Sequence, residues 1–242
     1  MGAVFISPHH DDVCFSMAAT ALVCRGGYLV NVFTQSDYAV VPIPFFEEKS
    51  ERIKYITGLR DKEDQLFAEA CNLTRHDLKQ ETPGLLDIHS FDLTNLHVEA
   101  ERLESTLIDH IISIGLANIR NKPVLYCPMG IGGHRNHVSV LLAVLKARPR
   151  LHELYEICFY EDLHYASWGN NRNAGLSRFL GLIKGERLTR KALVLAPELF
   201  ARKMNLVGIY FSQHGGNLRA ENYVPAATDI GKPHESVWVL SS

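Results

Sequence analysis

The stretch AVFISPHHDDVCFSMAATALVCRGGYLVNVFT, residues 3–34, decides the fold class. Ala3 to Ser7 is a short apolar run bounded by polar residues, as a strand buried on both faces requires. Val13 to Arg25 is rich in Ala, Leu, Met and Val without Pro or Gly, and Gly26-Gly27 then supplies a helix C-terminal stop. Tyr28 to Thr34 returns to strand composition. A β-α-β unit of this kind closes through a right-handed crossover and sets its two strands parallel in one sheet. Polar chemistry begins where the first strand ends, and that edge of an open α/β sheet is where ligands bind.

Reading outward, Ala39 to Phe46 (AVVPIPFF) carries two prolines among apolar residues, which predicts a surface loop and a candidate substrate lid. Glu47 to Asn72 is charged and helical in period, with a break expected near Gly58, and Glu81-Thr82-Pro83-Gly84 marks a turn. Leu96 to Gly115 repeats the i, i+3/i+4 apolar spacing of an amphipathic helix. Val124 to Pro128 reads as a strand, followed by the loop Gly130-Ile131-Gly132-Gly133 and a helix from Val138 to Lys146; Tyr155 to Tyr160 repeats the strand signal. Ala166 to Arg190 is polar and reads as variable loop with some helix, Pro197 to Phe211 as a helix opened by proline, and Ser236 to Leu240 as an edge strand. With no repeat or linker in view, residues 1–242 are read as one domain. The fold class is α/β: a three-layer, Rossmann-like, mostly parallel sheet with helices on both faces.

The bulk numbers exclude several classes of function. The composition, 46% hydrophobic and 21% charged, is that of an ordinary globular protein. A formal charge of -2 and the lack of any Lys/Arg cluster leave nothing to drive binding to a nucleic-acid backbone. The opening MGAVFISPHHDD reaches charge too soon for a signal-peptide core or a membrane span, so a cytoplasmic protein is expected. Five widely spaced cysteines without a C-x-x-C pair read as reduced thiols rather than a disulfide framework or a thiolate zinc site.

Two clusters carry chemistry. Pro8-His9-His10-Asp11-Asp12 lies at the carboxyl end of the first strand. One Asp there would serve as a helix N-cap, but two adjacent carboxylates behind two histidines exceed what a cap needs and repel one another unless a cation is present. Gly132-Gly133-His134-Arg135-Asn136-His137 follows a later strand, and His134 and His137 share a face if a helix starts there. Alone, H-x-x-H is a weak signal; its position lets it converge on the first cluster. Together they offer a nitrogen/oxygen donor set suited to catalytic zinc, whose bound water and Lewis acidity serve amide hydrolysis. A spare carboxylate remains for a general base, and a spare histidine for an oxyanion donor or an acid. Residue types alone do not say which Asp or which His is the ligand.

At this point the chain resembles the PIG-L/LmbE-type N-acetylglucosaminyl deacetylases, whose signature is a strand followed by H-P-D-D and a later H-x-D-H. Here the motifs read S-P-H-H-D-D at 7–12 and H-R-N-H at 134–137. The resemblance implies one Zn2+ per chain held by His9, Asp12 and His137, with Asp11 as general base and His134 steadying the tetrahedral intermediate. Weaker matches are L-R-D-K-E-D at 59–64, similar to the family's R-x-x-E helix, Y-E-D-L at 160–163 and Y-F-S-Q at 210–213. On these, Arg60 and Glu161 are substrate-binding candidates, although Arg60 with Glu63 is equally a plain helix ion pair and Glu161 and Asp162 could simply close a strand. Ser36 and Asp37, after the second strand, are further pocket candidates.

Three positions depart from the pattern: Val13 where the family has Glu, His10 where it has Pro, and Asn136 where it has Asp. The expected activity is that of a zinc-dependent hydrolase acting on a linear amide, removing an N-acetyl or other N-acyl group from an N-acetylglucosamine-like glycoside or related small-molecule conjugate. The competing reading is a non-catalytic metal- or sugar-binding member of the same fold. A nucleotide-dependent enzyme would need a glycine-rich loop where Ser7-Pro8-His9-His10 stands. The expected partner is a small-molecule amino sugar, and a homo-oligomer is compatible with the sequence.

Overall fold

In the computed structural model, which describes residues 2–24, 26–118, 122–226 and 229–241, the first β-α-β unit forms as its composition requires. Strand β1 (Ala3–Ser7) is buried along its whole length, helix α1 (Asp12–Cys24) follows, and β2 (Gly27–Asn31) pairs parallel to β1. Arg25, the last residue of the expected helix, lies outside the described residues. Helix α2 (Lys49–Cys71) returns the chain to β3 (Leu73–Asp77), which extends the sheet beside β2. The expected break at Gly58 is absent: α2 runs through it, because that glycine faces open space and the flanking turns keep their helical bonds.

Helices α3 (Leu96–Leu103) and α4 (Asp109–Ala117) replace the single helix expected at 96–115, joined by a π-helical turn at Glu104–Ile108. Next come β4 (Val124–Pro128), α5 (Arg135–Leu154) and β5 (Glu156–Tyr160). The segment read as variable loop instead forms α6 (Gly169–Ile183) and leads into β6 (Arg187–Val194). After α7 (Pro197–Val207) and the single turn α8 (Phe211–His214), the chain ends in β7 (His234–Ser241).

The sheet order is β3-β2-β1-β4-β5-β7-β6, with β1 to β5 parallel and the last two strands antiparallel. Strand β7 is therefore not the expected edge: it lies between β5 and β6, and β6, with its alternately exposed pattern, takes the edge. Helices α1, α2 and α7 pack a core on one face around Phe5, Leu29 and Phe67, while α3 to α6 cover the other around Ile6, Leu125 and Phe159. The chain leaves β1 toward β2 on one side and enters β4 on the other, so β1 and β4 meet at the topological switch point, with Phe5 opposite Tyr126. Both motif loops leave the sheet there. Among the described residues no helix is long and apolar enough to cross a membrane.

One buried ion pair holds the α1 layer together. Helical geometry fails at Met17 (φ -132°, ψ 15°), and the carboxylate of Glu235 on β7 accepts from the N–H groups of Ala19 (2.9 Å) and Thr20 (2.8 Å). The same carboxylate pairs with the fully buried Lys203 of α7 at 2.9 Å. Glu235→Ala strands that ammonium and two amide donors in the interior, so unfolding free energy in urea is expected to fall by about 3–5 kcal/mol. A loss under about 1 kcal/mol would show that water replaces the carboxylate and that the pair does not tie α1 to α7.

Candidate active site

The loop after β1 is tied by its own side chains. Ser7 Oγ accepts from Val13 N–H (3.1 Å) and donates to the carbonyl of His9, closing the turn from strand to helix. Asp12 opens α1 with its carboxylate folded back, where Oδ2 accepts from His9 N–H (2.7 Å) and lies 3.0 Å from His9 Nδ1. Across the switch point, α5 begins at Arg135, three residues before its expected start, with His134 as N-cap and His137 one turn in. Gly132, at φ +90°, is required in the preceding loop: a Cβ there would stand 2.4 Å from the Tyr165 ring that packs over His137.

His137 Nε2 reaches to 3.2 Å from the same Asp12 Oδ2. Burial pushes the His137 imidazole down, but Asp12 and Asp162 outweigh it and raise its pKa to about 10. Burial raises Asp12 in turn, and His137 with His9 more than reverses this, holding the carboxyl well below its usual range. The field at this point therefore favours a positive charge between these groups.

A metal ion fits that demand. Tetrahedral coordination with bonds of about 2.0–2.2 Å puts donor atoms about 3.3–3.6 Å apart; Asp12 Oδ2 lies 3.0 Å from His9 Nδ1 and 3.2 Å from His137 Nε2, and two sets of donor atoms lie within 4.8 Å of one another, His9 with Asp11 and Asp12 and His9 with His134 and His137. His137 Nε2 is buried with no hydrogen-bond partner, and its Nδ1–H donates to Asp162 (2.7 Å), the arrangement that leaves Nε2 free as a donor atom for a metal. His9 requires one change. Its Nε2 faces Asn136 Nδ2 at 2.9 Å, while Asn136 Oδ1 is buried without a partner. Turning that carboxamide over pairs the orphan oxygen with an Nε2–H and frees Nδ1 for the ion.

The remaining expected residues divide. Asp11, Ser36, Asp37, Arg60 and His134 line one cavity of about 470 Å³ with His9 and Asp12. Within it Arg60 does not stand free for substrate: its guanidinium donates to Asp11 Oδ1 (2.8 Å) and to Ser36 Oγ (3.3 Å). Its expected ion-pair partner Glu63 turns instead to Ser212, accepting from its amide at 2.8 Å. Burial first, then His9 and His137, lower the His134 pKa to about 2, and its Nδ1 accepts from Asn136 N–H (3.3 Å), leaving the proton on Nε2. Glu161 is outside the cavity. Its carboxylate is buried against Arg172 (2.7 and 2.8 Å) and the indole N–H of Trp238 (2.9 Å), so the substrate role expected for it is replaced by a tie between β5, α6 and β7.

The neighbouring Asp162 is the residue that the sequence reading passed over. It joins His137 to the N–H of Ile131 (2.8 Å) and so locks the two loops together. Successive residues point to opposite faces at a strand end, which is why Glu161 and Asp162 part company; only their place after β5, next to β4, hinted at a role. Phe91, His164 and Tyr165 also line the cavity. Arg135 positions the first of these, bonding Glu99 (2.6 Å) and the carbonyls of Asp92 (2.7 Å) and Thr94 (2.9 Å).

A deacetylase of the teicoplanin biosynthetic pathway superposes on 100% of this chain and 99% of its own, with a TM-score of 0.72 and 20% identity. This chain has its fold. The N,N'-diacetylchitobiose deacetylase of Pyrococcus horikoshii matches over 98% of this chain and 82% of its own (TM-score 0.52, 15% identity). The 4-carboxy-2-hydroxymuconate hydratase of Pseudomonas putida KT2440 matches over 100% and 98% (0.55, 11%). No protein-family model and no curated protein matches the chain. A fold that serves deacetylases and a hydratase does not choose a reaction; the site must.

Two outcomes follow for metal uptake. Asp162→Asn, which weakens the hold on His137, is expected to lower zinc affinity about 10–100-fold in a competition titration; unchanged affinity would mean that Asp162 merely closes the loop. Because His137 in the metal-free protein stays protonated up to about pH 10, an incoming ion must displace that proton. Apparent affinity should therefore rise about tenfold per pH unit over roughly pH 6 to 8, with proton release measurable by calorimetry in buffers of different ionisation enthalpy.

Proposed function

We propose that the protein is a zinc-dependent N-deacetylase of the PIG-L/LmbE type, cleaving the acetamide of an N-acetylglucosamine-like glycoside or a related small conjugate. The observation that carries this reading is the convergence of two sets of donor atoms within 4.8 Å of one another, His9 with Asp11 and Asp12 and His9 with His134 and His137, at the wall of one cavity. Two structural neighbours, a deacetylase of the teicoplanin biosynthetic pathway and an N,N'-diacetylchitobiose deacetylase, support the same class of reaction.

His9, Asp12 and His137 would hold the ion. When bound, a divalent ion supplies a water of lowered pKa and a Lewis-acid contact for the amide carbonyl. Asp11 is the base: Arg60 fixes its Oδ1, no hydrogen bond engages Oδ2 among the described residues, and the attacking water can lose its proton there. His134, neutral with its proton on Nε2, donates a hydrogen bond to the oxygen that gains charge as the carbonyl carbon becomes tetrahedral. An imidazole so hard to protonate has no spare proton to give, so Asp11 returns the proton it took to the leaving nitrogen as the C–N bond breaks. Acetate and a free amine result. Ser36 and Asp37 face the sugar from the rim, and Arg60 acts mainly by holding Asp11.

Asp11→Asn keeps the shape of the site and removes the base. It is expected to retain zinc near one per chain while kcat for amine release from N-acetylglucosamine glycosides falls at least about 100-fold. Zinc bound with turnover unchanged would remove Asp11 from the mechanism, and zinc bound by the wild-type chain with no release from any glycoside would favour the binding-module reading.

A further inference from the structure

The charges on the cavity wall constrain the part of the substrate that does not react. Of the three carboxylates that line it, Asp12 would face the metal ion and Asp11 pairs with Arg60, which leaves Asp37 as the uncompensated charge. The Arg60 guanidinium is almost wholly buried and is committed to Asp11 and Ser36. Among the residues that line the cavity, an anionic substituent therefore finds no uncommitted guanidinium or ammonium.

Asp37 lines the cavity next to Ser36, which Arg60 bonds. Its Oδ1 stands close to Gly84, 3.6 Å from where a Cβ would project, and its carboxylate makes no hydrogen bond or ion pair among the described residues. Arg52, exposed outside the cavity lining, bonds the backbone carbonyl of Asp37 rather than its carboxylate (3.3 Å). The same cavity carries open aromatic rings: Tyr38, next to Asp37 in the chain, is 61% and Phe91 50% exposed, and Phe91 sits edge-on to His134 with ring centroids 5.7 Å apart. Exposed rings next to an unpaired carboxylate favour a flat apolar group, or a cation, over an anion.

We propose that the cavity selects uncharged or cationic glycosides carrying a flat apolar aglycone seated on Tyr38 and Phe91, and rejects anionic conjugates such as sugar phosphates, with Asp37 enforcing the discrimination. The inference rests on the deacetylase reading only for the orientation that puts the acetamide at Asp12 and the aglycone at the rim. Binding and turnover test the two separately.

The probes are the phenyl, 4-carboxyphenyl and 4-(aminomethyl)phenyl glycosides of N-acetylglucosamine, matched in shape and different in charge. Calorimetry on the zinc-loaded full chain is expected to give the carboxyphenyl glycoside a Kd at least about tenfold above that of the phenyl glycoside. The aminomethyl compound should bind at least as tightly as the phenyl one. In Asp37→Asn, checked for an unchanged melting temperature, the gap between carboxylate and neutral probes should narrow at least about threefold. Equal affinity for charged and neutral probes, a gap untouched by Asp37→Asn, or no binding by any of the three would overturn the proposal. Amine release is scored apart: the expected order of affinities without any release defeats the deacetylase reading and leaves the charge selection standing.

Discussion

A carboxylate buried between two imidazoles is the constraint from which the rest of the site follows. Asp12 cannot sit at the mouth of β1 unless positive charge faces it, and the geometry brings His9 from its own loop and His137 from the far side of the switch point to supply that charge. Asp162 and Asn136 orient the two imidazoles from behind.

The surroundings of that centre separate two kinds of ion pair. Arg60 with Asp11 faces the cavity and fixes the direction of that carboxylate. Glu161 with Arg172, and Glu235 with Lys203, are sealed inside and serve the framework, tying the carboxyl-terminal strand to α6, α1 and α7. Both are charged pairs in the linear sequence, and nothing but their distance from solvent and from the switch point distinguishes them. Asp64 illustrates the cost of such placement. Burial lifts it to about 8 despite hydrogen bonds from Tyr210 (2.8 Å) and Asn31 (2.6 Å), so it stays largely protonated behind the site at neutral pH.

Much of the fold was legible because periodicity and punctuation are local. The all-apolar β1, the glycine stop after α1, the apolar strand at 124–128 and the proline opening α7 each declare themselves within a few residues. The misreadings, and the strand at 73–77 that was not read at all, share one cause. Strand β3 (LTRHD) carries polar side chains because it lies at the sheet edge, α6 is polar because only one stripe of it touches the core, and β7 sits inside the sheet with an edge strand's length because β6 folds back onto it. Composition averages over these differences in neighbours.

By itself, the sequence determined that an α/β sheet forms and that two clusters of metal-competent side chains leave the carboxyl ends of its strands. The type of each residue and its offset from a strand end are properties of the chain alone, which is why both motif loops could be found. Which donor atoms meet was decided by tertiary structure. The pairing of β1 with β4 closes more than a hundred residues of chain into a few ångströms, and the opposed faces of a strand end sent Asp162 to the site and Glu161 to the core. Neither outcome is encoded by spacing, because side-chain direction at a strand end and the partner across a sheet exist only once the other strands are in place.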